Sequence, residues 1–266
     1  MVLSPGDRIE GYVVDAPLGH GGFATVYRAH DAAGADRVVA VKVLDEHHRQ
    51  LAQIAQLQRE FAFANGLDHP HIIKVYQRGS GWLAMELVDG GTVAKVRAMA
   101  DRLTALKQVA DALDYAHRRG IVHCDVKPSN ILVSLPFSTR GSVLIDFGVA
   151  HSVAEEVWHR PSRVEASLPY SAPELLQGYA PCAATDEYAL ACTAFELITG
   201  STPFTATTSI ALMDEQLHAQ PPKVSHKIDL LPHAFDSIMA KALAKSPDNR
   251  YESCSEFASL IAKTLQ

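Results

Sequence analysis

His123-Cys124-Asp125-Val126-Lys127-Pro128-Ser129-Asn130 follows a helical stretch, and Asp146-Phe147-Gly148 comes sixteen residues after Asn130, with an apolar strand on each side of the gap. Taken one at a time, these charged and amide residues read as solvated loop charges and turn formers. Their order and spacing ask for more. Upstream, Leu18-Gly19-His20-Gly21-Gly22-Phe23-Ala24-Thr25-Val26 links two strand-like runs. Glycines there let backbone N–H groups approach phosphate oxygens closely, although an ordinary hairpin with glycines at positive φ accounts for the stretch equally well. Ala40-Val41-Lys42 then lies on a strand, where alternation places Ala40 and Lys42 on one face. Lys42 reads either as a solvated strand residue or as the ion-pair partner of Glu60 on the following helix.

The chain up to Asp89 reads as strands first, around Tyr12 to Val14, Thr25 to Tyr27, Val38 to Leu44, Ile72 to Tyr76 and Trp82 to Val88. One helix interrupts them over His47 to Gly66, with Leu51, Ile54, Ala55, Phe61 and Ala62 on one stripe. After Asp89-Gly90-Gly91 the pattern turns helical, most clearly over Thr104 to Arg119, Ala184 to Thr199 and Ala234 to Lys245. A boundary at about 86 to 91 follows. No repeat or low-complexity segment is present.

At 266 residues, 47% hydrophobic and 20% charged, the chain suits one large domain or two joined lobes. A net charge of −6 with no concentrated Lys and Arg argues against nucleic acid as a partner. The four cysteines, Cys124, Cys182, Cys192 and Cys254, form no C-x-x-C pair and suit reduced thiols in a cytosolic compartment. No apolar run reaches the roughly 18 residues of a membrane span, and Met1 opens onto Ser4, Pro5, Gly6 and Asp7 with no signal-peptide core. A soluble chain is expected, which can equally be one domain of a longer protein.

Taken together, these segments resemble the Hanks-type protein kinase family in its bacterial serine/threonine branch, over nearly all of residues 8 to 264. The resemblance implies an α+β, two-lobed fold: a small antiparallel sheet with one helix over about 8–86, a hinge at 86–91 and a larger, mainly helical lobe over about 91–264. It implies ATP with magnesium, or manganese in its place, and protein substrates bearing serine or threonine. Lys42, fixed by Glu60, would hold the α- and β-phosphates. Asn130 and Asp146 would carry the metal through hard oxygen donors. Asp125 would take the proton of the substrate hydroxyl, with Lys127 near the transferred group; a lysine after Asp125-x resembles the serine/threonine class.

By the same likeness, Leu18, Gly19, His20, Gly21, Gly22, Phe23 and Ala24 cover the nucleotide, and Val26, Ala40 and Leu132 sandwich the adenine. Met85 is the gatekeeper, and the backbone of Glu86 and Val88 supplies the adenine contacts; each of these apolar positions also reads as plain core. Ala172-Pro173-Glu174 closes the activation segment, with Arg250 pairing its glutamate, and Asp186 anchors the catalytic loop through backbone N–H groups. A homodimer through the small lobe is a further implication, as is a place either in the cytoplasm or as the cytosolic part of a longer membrane-anchored receptor kinase. This segment itself makes no membrane contact.

Ala24 replaces the third loop glycine of the family, Ala191 replaces a glycine of the buried helix, and Ser134 to Ser142 is slightly long. Cys124 is the informative departure, because most members carry an arginine there whose charge is relieved by a phosphorylated activation loop. Between Asp146 and Ala172 there is no threonine, only Ser152, Ser162, Ser167 and Ser171. Both features imply a non-RD kinase that does not wait for loop phosphorylation. Cys124 reads as a small hydrophobe filling a gap, not as a redox or metal residue. The thirteen histidines, His47-His48 and His69-x-His71 included, present no ligand set, and no metal beyond magnesium is expected. The rival reading is a pseudokinase that binds nucleotide without efficient turnover; it lacks the usual missing residue, since Lys42, Glu60, Asp125, Asn130 and Asp146 are all present. A small-molecule kinase is disfavoured by the full activation segment.

Overall fold

The computed structural model describes residues 3–34, 37–153, 167–228 and 231–266. By their internal contacts the described residues form two compact units. The first comprises Met1–Asp68, Ile72–Asp89 and Asp146–Gly148, and the second His69–His71, Gly90–Ile145 and Val149–Gln266.

The first unit is an antiparallel sheet of β1 (Arg8–Ile9), β2 (Tyr12–His20), β3 (Ala24–Asp31), β4 (Val38–Leu44), β5 (Val75–Gly79) and β6 (Trp82–Glu86), in the order β1-β2-β3-β4-β6-β5. Alternation along β4 sorts its side chains. Val39, Val41 and Val43 enter a core with Tyr12, Val14, Tyr27, Trp82 and Ala84, which leaves Ala40 and Lys42 for the other face. Tyr12 meets Trp82 edge to face at 5.8 Å, and the indole N–H donates to Glu10 at 3.0 Å. A Cβ at Gly79 would lie 2.1 Å from that indole nitrogen, so this position needs glycine for close approach.

The helix of this unit, α1, spans Leu51–Asn65 after a 3₁₀ turn at Glu46–His48, a later start than the sequence pattern predicts. Its buried residues are Leu57, Glu60 and Ala64, whereas Leu51 is 87% exposed. The predicted apolar stripe is therefore rotated. Reading periodicity from hydrophobic residues alone puts Glu60 in solvent, but its ion pair with Lys42 turns that face inward.

The second unit is mainly helical: α2 (Met99–His117), α3 (Phe137–Arg140), α4 (Pro173–Gln177), α5 (Ala183–Thr199), α6 (Ser209–His218), α7 (His233–Ala242) and α8 (Cys254–Leu265). Two small ribbons pair β7 (Ile121–Val122) with β10 (His151–Ser152) and β8 (Ile131–Val133) with β9 (Ser142–Leu144). Helix α5 is buried continuously from Thr185 to Phe195, as expected of an all-round apolar helix at the centre of a domain. No helix of the described residues is long and apolar enough to cross a membrane.

One buried group on α5 is costly. Glu187, 1% exposed, accepts the Tyr251 N–H through Oε1 at 3.0 Å, while Oε2 has no hydrogen-bond partner. Burial pushes its carboxyl up to about 8, against the pull of the Tyr251 N–H and Arg250. Between the ordinary value of 4.5 and about 8 the unfolded chain releases this proton and the folded chain keeps it. Stability therefore falls as pH rises through that window. Glu187→Gln should remove the fall, with a melting advantage over wild type that widens from about pH 5 to about pH 8 and reaches on the order of 2–4 kcal/mol. Parallel melting curves for the two proteins would contradict this.

Candidate active site

In the first unit, Lys42 Nζ lies 2.7 Å from Glu60 Oε2 and 3.5 Å from Asp146 Oδ1. Burial alone would lower the ammonium, but the Asp146 and Glu60 carboxylates outweigh it and hold Lys42 above the ordinary lysine value. Of the two sequence alternatives for Lys42, the structure holds the ion pair. Asp146 adopts a φ of 68°, an uncommon left-handed geometry for a residue with a side chain, and its Oδ1 also accepts the Gly148 N–H at 3.4 Å.

The strand register fixes the apolar neighbours. Val26 pairs with Lys42 across β3 and β4, and Ala40 pairs with Met85 across β4 and β6. Ala40 and Met85 are buried, at 6% and 7% exposure. Glu86 gives its N–H to the Lys74 carbonyl at 2.9 Å, whereas the Val88 backbone makes no hydrogen bond among the described residues. Gly19, Gly21 and Gly22 all lie outside positive φ, so the hairpin does not need glycine for its turn. A Cβ on Gly19 would meet nothing within 4 Å. What these glycines leave is bare backbone. Leu18 is half exposed, Ala24 is buried, Phe23 lies edge-on to His48, and His20 Nε2 sits 3.2 Å from Asp45 Oδ2.

In the second unit, the loop after β7 gathers Asp125, Lys127, Asn130 and Ser167. Lys127 Nζ donates to both Asp125 oxygens at 2.9 and 2.8 Å and to Ser167 Oγ at 2.7 Å. Ser167 in turn donates to Asp125 Oδ1 at 2.6 Å. Asn130 Nδ2 donates to the Asp125 carbonyl at 2.8 Å and to Oδ2 at 2.9 Å. These bonds leave one rotamer for the carboxylate. His123 completes the loop, its Nδ1 accepting the Asp125 N–H at 3.2 Å and its Nε2 donating to the Ile145 carbonyl at 3.0 Å. Leu132 is half-buried on β8, with Val143 as its partner on β9.

Beneath the loop, Asp186 is fully buried and accepts the N–H groups of His123 and Cys124 at 2.7 and 2.8 Å, and His117 Nε2 at 2.7 Å. Burial opposes its charge, but these bonds, led by His117, keep the carboxyl below its ordinary range. The grip holds Cys124 at a φ of 66°. The Cys124 thiol points the hydrogen bond of its Sγ at the Val122 carbonyl, 3.5 Å away, and burial with Asp186 and Asp125 nearby pushes its pKa well up. That is the chemistry of a filler, not of a reactive thiolate.

Further along, Arg250 forks onto Glu174 with two bonds of 2.8 Å, and both groups are 5% exposed. Ser162 lies outside the described residues. Gln216 was not singled out from the sequence. Fully buried, it donates to the carbonyls of Leu168 and Pro169 at 3.0 and 2.8 Å and accepts the Tyr188 hydroxyl. A glutamine in an amphipathic helix carries no mark of such a task.

The chain matches the protein kinase domain family over residues 12–263. It is 40% identical to the serine/threonine-protein kinase PknJ of Mycobacterium tuberculosis, covering 99% of this chain and 47% of PknJ. Identity to PknF of the same species is 37%, covering 100% of this chain and 58% of PknF. The chain thus spans about half the length of the curated relatives it matches. Among solved structures it is similar to the M. tuberculosis PknI kinase domain, with a TM-score of 0.74 at 33% identity and 99% of both chains covered.

Proposed function

Because the chain belongs to the protein kinase domain family, we propose that it transfers the γ-phosphoryl group of ATP to serine or threonine hydroxyls of protein substrates. The observation that carries this reading is the Asp125 carboxylate, pinned by Lys127, Asn130 and Ser167 in one orientation. Phosphoryl transfer asks a protein for positioning and charge neutralisation more than for covalent chemistry. Asp125 accepts the proton of the attacking hydroxyl. Lys127, already bonded to that carboxylate, offsets charge on the transferred group. Lys42, oriented by Glu60, would hold the α- and β-phosphates, and the bare backbone around Gly19, Gly21 and Gly22 would offer its N–H groups to them. By likeness to the family, Val26, Ala40, Met85 and Leu132 would line the adenine site, and the backbone at Glu86 and Val88 would supply its hydrogen bonds.

The donor chemistry fits magnesium. Asn130 commits Nδ2 to Asp125, which leaves its carboxamide oxygen, and Asp146 brings carboxylate oxygen, the ligand type a hard cation takes. The metal supplies neutralisation of phosphate charge. Incorporation of label from γ-labelled ATP into a basic protein, compared between wild type and Asp125→Asn, tests the reading; equal incorporation by the two would overturn it, and the pseudokinase would stand.

The second element of the proposal is that activity does not wait for activation-loop phosphorylation. Cys124 brings no positive charge to be relieved, and Lys127 and Ser167 bond the Asp125 carboxylate directly. Phosphatase-treated protein, and the double variant Ser152→Ala with Ser162→Ala, should keep at least about half of the wild-type kcat/KM, a difference well below 1 kcal/mol. Loss of activity in both would refute it.

A further inference from the structure

Helices α2 and α8 bring together three side chains of different chemistry, Asp114, His117 and Cys254. One carboxylate oxygen, one imidazole nitrogen and the thiol sulfur lie within 4.8 Å of one another. Each is held from outside the cluster. Asp114 accepts the Cys254 and Ser255 N–H groups, both at 3.0 Å, through its two oxygens. His117 gives Nε2 to Asp186 Oδ2 at 2.7 Å. Nε2–H donates to the ionised Asp186 carboxylate, and in the neutral ring this leaves Nδ1 as the acceptor atom. That nitrogen is 4.0 Å from Asp114 Oδ1, beyond hydrogen-bond reach, and makes no hydrogen bond among the described residues, although the side chain is only 10% exposed.

We propose that Asp114, His117 and Cys254 form a binding site for a divalent transition metal of the zinc class, with water as a fourth ligand. Helix capping by Asp114 and the hydrogen bond of the buried Cys254 thiol to the Asp114 side chain explain part of the cluster, but they leave His117 Nδ1 and Asp114 Oδ1 facing each other at 4.0 Å with no hydrogen bond between them. A cation between them satisfies both. Nitrogen, oxygen and sulfur together suit zinc, whereas magnesium and calcium take oxygen alone. Asp114 and His117 stand three residues apart on one helix face, the spacing that lets both reach one ion. Asp186 supplies the outer carboxylate that orients a metal-ligating imidazole and fixes its tautomer. Because the same Asp186 receives the N–H groups of His123 and Cys124, an ion here would stiffen the loop that carries Asp125. None of the three ligands belongs to the magnesium pair Asn130 and Asp146.

The test uses the full chain with the exposed Cys182 changed to serine, stripped by a chelator and titrated with Co²⁺. A thiolate-to-cobalt charge-transfer band should saturate near about one equivalent, be displaced by Zn²⁺ and be absent in the added variant Cys254→Ser. No band, or a band that survives Cys254→Ser, overturns the site. Should Cys254→Ser fail to fold, zinc X-ray absorption on the Cys182→Ser protein decides: a shell containing sulfur at about 2.3 Å supports the site, and a shell of nitrogen and oxygen alone overturns it.

Discussion

Asp125→Asn is expected to fold as the wild type does and to lose kcat by about 10²- to 10⁴-fold, the contribution of a positioned general base. Asparagine is isosteric with aspartate. Its carbonyl oxygen can take the bonds that Lys127 and Ser167 now give to Oδ1, at 2.9 and 2.6 Å. What disappears is the basic lone pair that receives the hydroxyl proton. The two consequences separate experimentally: KM for ATP should stay within about threefold, because Lys42 and Glu60 are untouched, while kcat falls. A variant that keeps more than about a tenth of kcat would show that Asp125 is not the base.

The largest stability effect is expected at Arg250. Its guanidinium bonds Glu174 twice and also donates to the carbonyls of Ala184 at 2.7 Å and Ala244 at 2.9 Å. Glu174 is further bonded by the Thr185 hydroxyl at 2.8 Å. Arg250→Met leaves that carboxylate buried without its counter-charge, and denaturant unfolding should show a loss of about 3–5 kcal/mol. Adding Glu174→Leu should return much of it, since removing both charges of a buried pair costs far less than removing one. If the double variant were as unstable as the single one, packing and not charge would be the reason for the loss.

Much of this was legible in the chain because the chemistry-bearing residues sit in short, ordered segments. The glycine stretch, Lys42, Asp125, Asn130 and Asp146 could each be placed on a strand or a loop from local pattern, and the Glu174–Arg250 pair followed from the family resemblance. What escaped was what local pattern does not encode. The inward face of α1 is chosen by Glu60, a charged residue that periodicity assigns to water. Glu187 and Gln216 are polar residues that residue type assigns to the surface, and only tertiary packing buries them. Asp114, His117 and Cys254 are joined by the meeting of α2 with α8, across a separation of 140 residues. Of the two readings that the glycine stretch allowed, the hairpin that needs positive φ is the one the backbone disfavours.

The hold of Asp186 on the catalytic loop has a consequence for how such an enzyme can diverge. The carboxylate takes the main-chain N–H of residue 124, so that bond itself does not depend on which side chain the residue carries. Cys124→Arg would keep the main-chain N–H for Asp186 and bring a positive charge beside Asp125. The hydrogen bonds that shape this loop and the charge it carries at residue 124 are thus separate properties of the sequence.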